Sequence, residues 1–240
     1  MDKKEFSNKL INIANGINVD ITEDMAEKFY TYMQMLQEWN EKINLTAITE
    51  PNEVIIKHFI DSITINKYIN ENVKVIDVGT GAGFPGIPLS IIREDVEVTL
   101  MDSLNKRIKF LDEVINVINL KNVDTIHSRA EELGHDKDCR EMYDIATSRA
   151  VAPLNVLLEY LMPFVKVGGY CICMKGSNID DEIKDAKKAL QVLSGEIVNI
   201  DKFELPETDY GRNIIVIKKT ANNSNKYPRK PGTPSKEPLI

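Results

Sequence analysis

Cysteine, long apolar runs and targeting signals are scarce or missing in this sequence of 240 residues. Its three cysteines, Cys139, Cys171 and Cys173, include no Cys-x-x-Cys pair, which argues against a disulfide framework and a zinc site. No stretch approaches the ~20 apolar residues that a membrane span requires. The N-terminus carries mixed charge and no signal peptide, so we expect a cytoplasmic protein that does not enter a membrane.

The sequence also lacks an overall excess of positive charge, since its formal net charge is −7. The distribution is uneven, because residues 218–240 contain six Lys and Arg residues but only one acid. An acidic body with a basic tail indicates local contact with a polyanion. The alternative is a solvated tail that aids solubility.

Residues 1–70 have the pattern of a helical extension. Thr22 is a candidate N-cap for a helix with one apolar face, and a further helix is expected to begin near Pro51. The spacing of the apolar residues by three and four positions predicts that this face is buried. Its members are Met25, Phe29, Tyr32, Leu36 and Trp39.

Residues 71–220 alternate between short β-rich runs and helical runs, which predicts a Rossmann-like α/β domain. We expect a mostly parallel, seven-stranded sheet with helices on both faces and a terminal antiparallel pair. Residues 221–240 form a basic, Pro-rich tail that we expect to lack regular structure. The predicted strands are Lys74–Val78, Val96–Asp102, Val123–His127, Tyr143–Thr147, Gly169–Met174, Glu196–Phe203 and Asn213–Lys218.

A glycine-rich turn between the first strand and the next helix is the sharpest signal in the sequence. Counted from Gly81, it matches the G-x-G-x-x-G pattern of dinucleotide-binding proteins. Counted from Gly79 and preceded by Asp77, it matches the G-x-G-x-G pattern of methyltransferases, whose S-adenosylmethionine carries no phosphate. In both cases, glycine allows positive φ angles and close approach of a ligand to the backbone.

Asp102 ends the second predicted strand, 23 residues after Gly79. A carboxylate at this place can accept hydrogen bonds from both ribose hydroxyls of either cofactor. The alternative role is an N-cap for the helix that follows.

Several fragments, in their order and spacing, resemble the RsmG family, also called the glucose-inhibited division protein B family, of 16S rRNA guanine-N7 methyltransferases. The resemblance covers nearly the whole chain. The fragments are residues 39–48 (WNEKINLTAI), 58–62 (HFIDS), 77–88 (DVGTGAGFPGIP), 102–107 (DSLNKR), 128–132 (SRAEE), 147–151 (TSRAV), 175–176 (KG) and 227–234 (YPRKPGTP).

This resemblance implies a class I methyltransferase fold and an S-adenosylmethionine site. It implies cofactor contacts at Gly79, Phe84, Ala130, Glu131 and Arg149. The carboxyl ends of the strands, where open α/β sheets bind ligands, are a suitable place for most of them. With the glycine loop and the second strand end, the predicted cofactor site comprises Gly79, Gly81, Phe84, Asp102, Ser103, Ala130, Glu131 and Arg149.

The resemblance further implies methylation of guanine 527 in the 530 loop of 16S rRNA. Guanine N7 has a free in-plane lone pair, so no acid or base catalyst is required, and no metal is expected. For His58, a place in the core competes with a catalytic role. Arg129 and Arg149 are candidates to hold the target guanine or its phosphate. RNA binding requires cations, and the candidates are Lys106, Arg107, Arg129, Lys175, Arg229 and Lys230.

Two other functions stay open at this point. An NAD-dependent oxidoreductase would use the Gly81 frame and Asp102, although the predicted antiparallel strand pair suits methyltransferases better. A non-catalytic RNA-binding protein would retain an unused cofactor site. We expect a monomer as the default state.

Overall fold

The computed structural model describes all 240 residues and contains one seven-stranded sheet with the order β3-β2-β1-β4-β5-β7-β6. Strands β1 to β5 pair in parallel, and β7 lies antiparallel between β5 and β6. The predicted Rossmann-like fold with its terminal antiparallel pair is confirmed. The strands are β1 Lys74–Val78, β2 Glu97–Asp102, β3 Val123–His127, β4 Tyr143–Arg149, β5 Val165–Lys175, β6 Gly195–Glu204 and β7 Gly211–Lys219.

Helices cover both faces of this sheet. None of them combines the length and the apolar composition that crossing a membrane would need. The α-helices are α1 Lys3–Gly16, α2 Glu23–Ile43, α3 Pro51–Glu53, α4 Asp61–Ile63, α5 Gly86–Ile92, α6 Asn105–Val117, α7 Ala130–Leu133, α8 Leu154–Leu161, α9 Asp180–Asp185, α10 Lys187–Val192 and α11 Thr233–Lys236. A π-helical turn, Val54–Ile60, joins α3 to α4, and a 3-10 turn, Thr64–Tyr68, follows α4. Residues 51–68 therefore form one helical segment.

The two ends of helix α2 are determined by local residues. The hydroxyl of Thr22 accepts a hydrogen bond from the N–H of Met25, as the predicted N-cap requires. The helix ends at Asn44, whose φ of 47° is left-handed, a conformation that asparagine tolerates better than most residues. Phe29 and Tyr32 on its apolar face are fully buried, in agreement with the predicted periodicity.

The alternation of side chains along the strands divides the apolar residues into two cores, one on each face of the sheet. Val75 of β1 belongs to the larger core, which it shares with α1, α2 and residues 51–68. Ile76 points to the other face, where the core includes α8 and α10. Cys171 and Cys173 of β5 both lie in this second core as buried free thiols.

The prediction that the basic tail lacks regular structure is wrong. Arg229 forms an ion pair with Glu159 of α8, α11 follows, and Leu239 is buried in the second core. The Pro and polar residues of the tail are typical of disorder. Local composition does not reveal a partner elsewhere in the chain that can hold such a segment in place. That partner is a buried carboxylate 70 positions earlier in the sequence.

We expect replacement of Phe59 by alanine to lower the free energy of unfolding by about 3–5 kcal/mol. Phe59 is fully buried, and its ring packs 5.0 Å from Phe29 and 6.1 Å from Phe84, measured between centroids. Urea unfolding followed by circular dichroism measures the change. The control is Val198→Ala on β6, where the residue is 47% exposed and the loss should stay within about 0.5 kcal/mol. Equal losses of stability in the two variants would contradict the assignment of Phe59 to the buried core.

Candidate active site

The glycine loop follows β1 at the carboxyl edge of the sheet. Gly79, Gly81 and Gly83 have φ angles of 70°, 63° and 99°, which side chains other than glycine rarely adopt. The N–H groups of Gly79 and Thr80 donate to the carbonyl of Met101 at 2.8 and 3.0 Å, so the loop is fixed to β2. A methyl group at Gly81 would meet no atom within 4 Å. The loop therefore presents open backbone at Gly81 to a ligand.

The other two glycines of the dinucleotide frame serve internal packing. A Cβ atom at Gly86 would lie 2.2 Å from a methyl carbon of Leu100, and one at Gly83 would lie 2.7 Å from Ile87. The N–H of Gly86, at the start of α5, already donates to Oδ2 of Asp77 at 2.9 Å. A pyrophosphate at this helix start would meet a carboxyl oxygen instead of a free N–H group. The local structure therefore favours the methyltransferase frame.

Asp77 is completely buried at the end of β1. Its Oδ2 accepts hydrogen bonds from the Thr80 hydroxyl at 2.6 Å and from Gly86, whereas Oδ1 has no partner. Burial raises the pKa of this carboxyl to about 6. An unpartnered buried oxygen beside an open loop has the chemistry to accept a hydrogen bond from a bound cofactor or its water.

Asp102 connects the end of β2 to the loop. Its Oδ2 accepts from the N–H of Gly81 at 3.0 Å and from Arg107 at 3.1 Å, and Oδ1 accepts from the N–H of Leu104 at 2.9 Å. The cap position of α6 belongs to Leu104, so Asp102 is not its N-cap. Each carboxylate oxygen can accept more than one hydrogen bond, so the ribose role is compatible with these contacts.

The third part of this edge is α7, which begins directly after β3. Ala130 and Glu131 are buried there, and Oε1 of Glu131 accepts a hydrogen bond from the N–H of Gly232 at 2.9 Å. Ser103 is exposed beside Asp102, and its carbonyl lies 3.1 Å from Nε2 of His127. The loop, Asp102 and α7 follow three neighbouring parallel strands, at the edge where open α/β sheets bind ligands.

Arg149, at the end of β4, binds the N-terminal helical segment. Its Nη1 donates to Oδ2 of Asp61 at 3.0 Å and to the carbonyl of Lys57 at 3.0 Å. The guanidinium also lies 4.8 Å from the centre of the Phe84 ring. Phe84 is only 5% exposed and the Arg149 side chain only 14%, so both predicted cofactor residues direct their side chains into the protein.

His58 lies in the same cluster. Its ring stacks on Phe84 at 4.4 Å, its Nε2 lies 2.8 Å from the Thr46 hydroxyl, and its Nδ1 lies 3.2 Å from Arg149. Burial, and to a smaller extent the neighbouring charge of Arg149, lowers the pKa of His58 to about 3. The imidazole is neutral at physiological pH and fits a place in the core better than a role in proton transfer.

A cleft of about 590 Å³ opens beside this cluster. It adjoins the glycine loop, since a Cβ atom at Gly79 would lie 2.9 Å from Val151 in the cleft wall. Its lining contains four cationic side chains, Lys57, Arg149, Lys175 and Arg212, and two carboxylates, Asp61 and Glu182. Val151 forms part of the wall.

Sequence reasoning did not select two residues of this cleft, Asp61 and Arg212. Nε of Arg212 donates to Oδ1 of Asp61 at 3.1 Å, so this buried carboxylate binds two arginines from different strands. Asp61 interrupts an otherwise apolar helical face, and that interruption is the signal that could have identified it. Arg212 stands at the start of a strand 151 positions later and carries no comparable local signal.

The six predicted RNA-binding cations fall into two groups. The side chains of Lys106, Arg129 and Lys230 are exposed and make no hydrogen bond within the protein. The remaining three form ion pairs inside the protein, which are Arg107 with Asp102, Lys175 with Glu182 and Arg229 with Glu159.

Solved structures with a similar fold include methyltransferases and other proteins that were solved with S-adenosylmethionine. A SAM-dependent methyltransferase from Aquifex aeolicus superimposes with a TM-score of 0.52 at 19% identity, covering 70% of this chain and 93% of that one. TYW2 of M. jannaschii, solved with AdoMet, has a TM-score of 0.52 at 18% identity and covers 66% and 76%. The fold is that of the class I S-adenosylmethionine-dependent methyltransferases.

Sequence comparison shows the family. The model of rRNA small subunit methyltransferase G matches residues 25–213. Ribosomal RNA small subunit methyltransferase G of Acetivibrio thermocellus is 54% identical over 242 residues, covering 100% of both chains. Its counterpart in Alkaliphilus oremlandii is 54% identical over 228 residues, covering 94% and 95%. The chain belongs to the rRNA small subunit methyltransferase G family. The predicted S-adenosylmethionine-dependent enzyme class is thereby confirmed.

We expect Gly81→Ala to weaken binding of S-adenosylhomocysteine about tenfold or more, a loss of ~1.4 kcal/mol. The added methyl group would occupy open space on the ligand side of the loop. Titration calorimetry measures the affinity.

The matched control is Gly168→Ala, on β5. Gly168 also has a positive φ, 89°, and also faces open space, so the backbone strain of about 1–2 kcal/mol should be similar. It lies outside the glycine loop, so affinity should not change. An equal loss of affinity in both variants would contradict the assignment of the loop.

The free energy of unfolding should depend on pH through His58. The unfolded imidazole gains a proton below pH ~6.5 while the folded one stays neutral down to about 3, so stability falls as the pH drops through this window. Denaturant titrations at several pH values test this. Relative to His58→Gln, the wild type should lose about 1 kcal/mol more per pH unit between pH 6 and 5. Parallel pH profiles would show that His58 is not held neutral.

Proposed function

We propose that this chain transfers the methyl group of S-adenosylmethionine to N7 of guanine 527 in the 530 loop of 16S rRNA. The observation that carries the proposal is the position of the cleft, which contains more cations than carboxylates and whose wall residue Val151 lies against Gly79 of the glycine loop. A base in this cleft lies next to the loop on which the cofactor is expected to bind. The 530 loop as the target comes from the family resemblance.

An arginine of the cleft can donate a hydrogen bond to the edge of a purine base. Arg212 has one amino group, Nη2, without a partner in the protein, while its Nε is fixed by Asp61. An arginine held in this way can donate to O6 of guanine, the acceptor beside N7. Arg149 already donates to Asp61 and to two carbonyls, so its function is to support the cleft. The exposed Arg129 is available to an RNA phosphate instead.

The chemistry requires alignment more than proton transfer. Bound S-adenosylmethionine supplies an activated methyl group, and the acceptor nitrogen must lie in line with the sulfur–methyl bond. Because N7 carries no proton, the neutral His58 and the doubly paired Asp61 need not act as bases. The cluster instead holds the cleft in a fixed position relative to the loop, which is the contribution that such a displacement demands.

We further propose that the enzyme acts as a monomer in the cytoplasm, without membrane contact. Lys106, Arg129 and Lys230 are the exposed cations that would contact RNA phosphates, and binding should weaken as salt concentration rises.

Mapping of N7-methylguanine in 16S rRNA tests the function. A strain that lacks the gene should lose the signal at position 527, and the wild-type gene should restore it. Purified protein with small subunits from the deletion strain should reproduce the modification. Retention of the signal in the deletion strain, or binding of the subunit without methylation, would contradict the proposal, and the second result would favour a non-catalytic RNA-binding protein.

Arg212→Ala should reduce kcat/KM for the small subunit by about tenfold to a hundredfold, the effect of losing a charged hydrogen-bond donor. Affinity for S-adenosylhomocysteine should stay within twofold, because Arg149 still pairs with Asp61. The control is Lys188→Ala on α10, which removes one exposed positive charge that does not line the cleft. Full activity of Arg212→Ala would remove Arg212 from the base-binding role.

A further inference from the structure

The tail is attached to the domain by a carboxylate that has no other charged partner. Glu159 of α8 is completely buried. Its Oε1 accepts from the backbone N–H of Arg229 at 2.7 Å and from Nε at 2.9 Å, and Oε2 accepts from Nη2 at 2.7 Å. A bidentate arginine contact supported by a backbone N–H fixes both position and orientation of the tail.

Contacts on either side of Arg229 extend from the tail to α7. Three residues further on, the N–H of Gly232 donates to Glu131 of α7 at 2.9 Å. One residue earlier, the carbonyl of Pro228 lies 2.7 Å from Nε2 of His135, which follows α7. The tail therefore contacts α7 at its first turn and again beyond its end.

Helix α7 has only four residues, Ala130–Leu133. So short a helix has few internal hydrogen bonds, and its position depends on the groups packed against it. It follows β3 at the same sheet edge as the glycine loop and Asp102. A ligand whose ribose is held at Asp102 would extend its base toward α7, beyond the methionine part at the loop.

We propose that tail residues 227–236 position α7 at the base-binding end of the cofactor site, with Arg229 as a positioning residue instead of an RNA contact. The inference rests on the proposed function, because the proposed function places the nucleoside of S-adenosylmethionine at this sheet edge. The guanidinium of Arg229 is committed to a buried carboxylate, whereas the adjacent Lys230 is exposed and has no partner. Neighbouring cations of one basic segment thus have different tasks.

Calorimetry with the full-length protein and S-adenosylhomocysteine tests the inference. Arg229→Ala should raise the Kd for this ligand, and the KM for S-adenosylmethionine, tenfold or more. The kcat at saturating cofactor and the KM for the small subunit should change less than twofold. Lys230→Ala is the matched control, since it removes the same charge one residue away, and it should leave the Kd unchanged.

Arg229→Lys provides a second variant if Arg229→Ala does not fold. Lysine retains the charge but loses the two-pronged contact, so it should raise the Kd several-fold and restore part of the affinity lost in the alanine variant. An unchanged Kd in a folded Arg229 variant, with a raised KM for the small subunit, would overturn the inference and identify the residue as an RNA contact. Methylation at position 527 in the wild type reports independently on the proposed function.

Discussion

The buried ion pair between Arg149 and Asp61 joins the N-terminal helices to the carboxyl edge of the sheet. Arg149 comes from the end of β4, and Asp61 from the helical segment that packs over the glycine loop. Phe84 of that loop lies against the same guanidinium. This ion pair and the Phe84 contact thus help to fix the glycine loop relative to the cleft wall. A methyltransferase that works by alignment depends on that relative position.

The carboxylate of this pair is almost completely removed from solvent. Asp61 is 4% exposed in its side chain and binds Arg212 as well as Arg149. A buried carboxylate between two guanidinium groups loses much solvation, and the several fixed hydrogen bonds offset that cost. His58 beside them stays neutral because burial, and secondarily the charge of Arg149, lowers its pKa. The cluster specifies a geometry more than it contributes net stability.

Features with a local physical cause could be predicted from the sequence. The spacing of apolar residues predicted the buried face of α2, and the β-rich runs predicted the strands of the sheet. The glycine spacing predicted the positive φ angles at Gly79 and Gly81. Features that depend on distant partners could not be predicted. The pairing of Arg229 with Glu159 or Arg212 with Asp61 spans 70 and 151 positions. Without the fold, a basic residue looks available to RNA when it is already paired.

The larger core draws on both ends of the chain, from Phe6 in α1 to Val216 in β7. Translation delivers these two residues at the beginning and near the end of synthesis. The apolar faces of α1 and α2 therefore emerge from the ribosome long before the sheet that covers them is complete. A growing chain of this protein therefore carries these apolar faces without their complete covering for most of its synthesis.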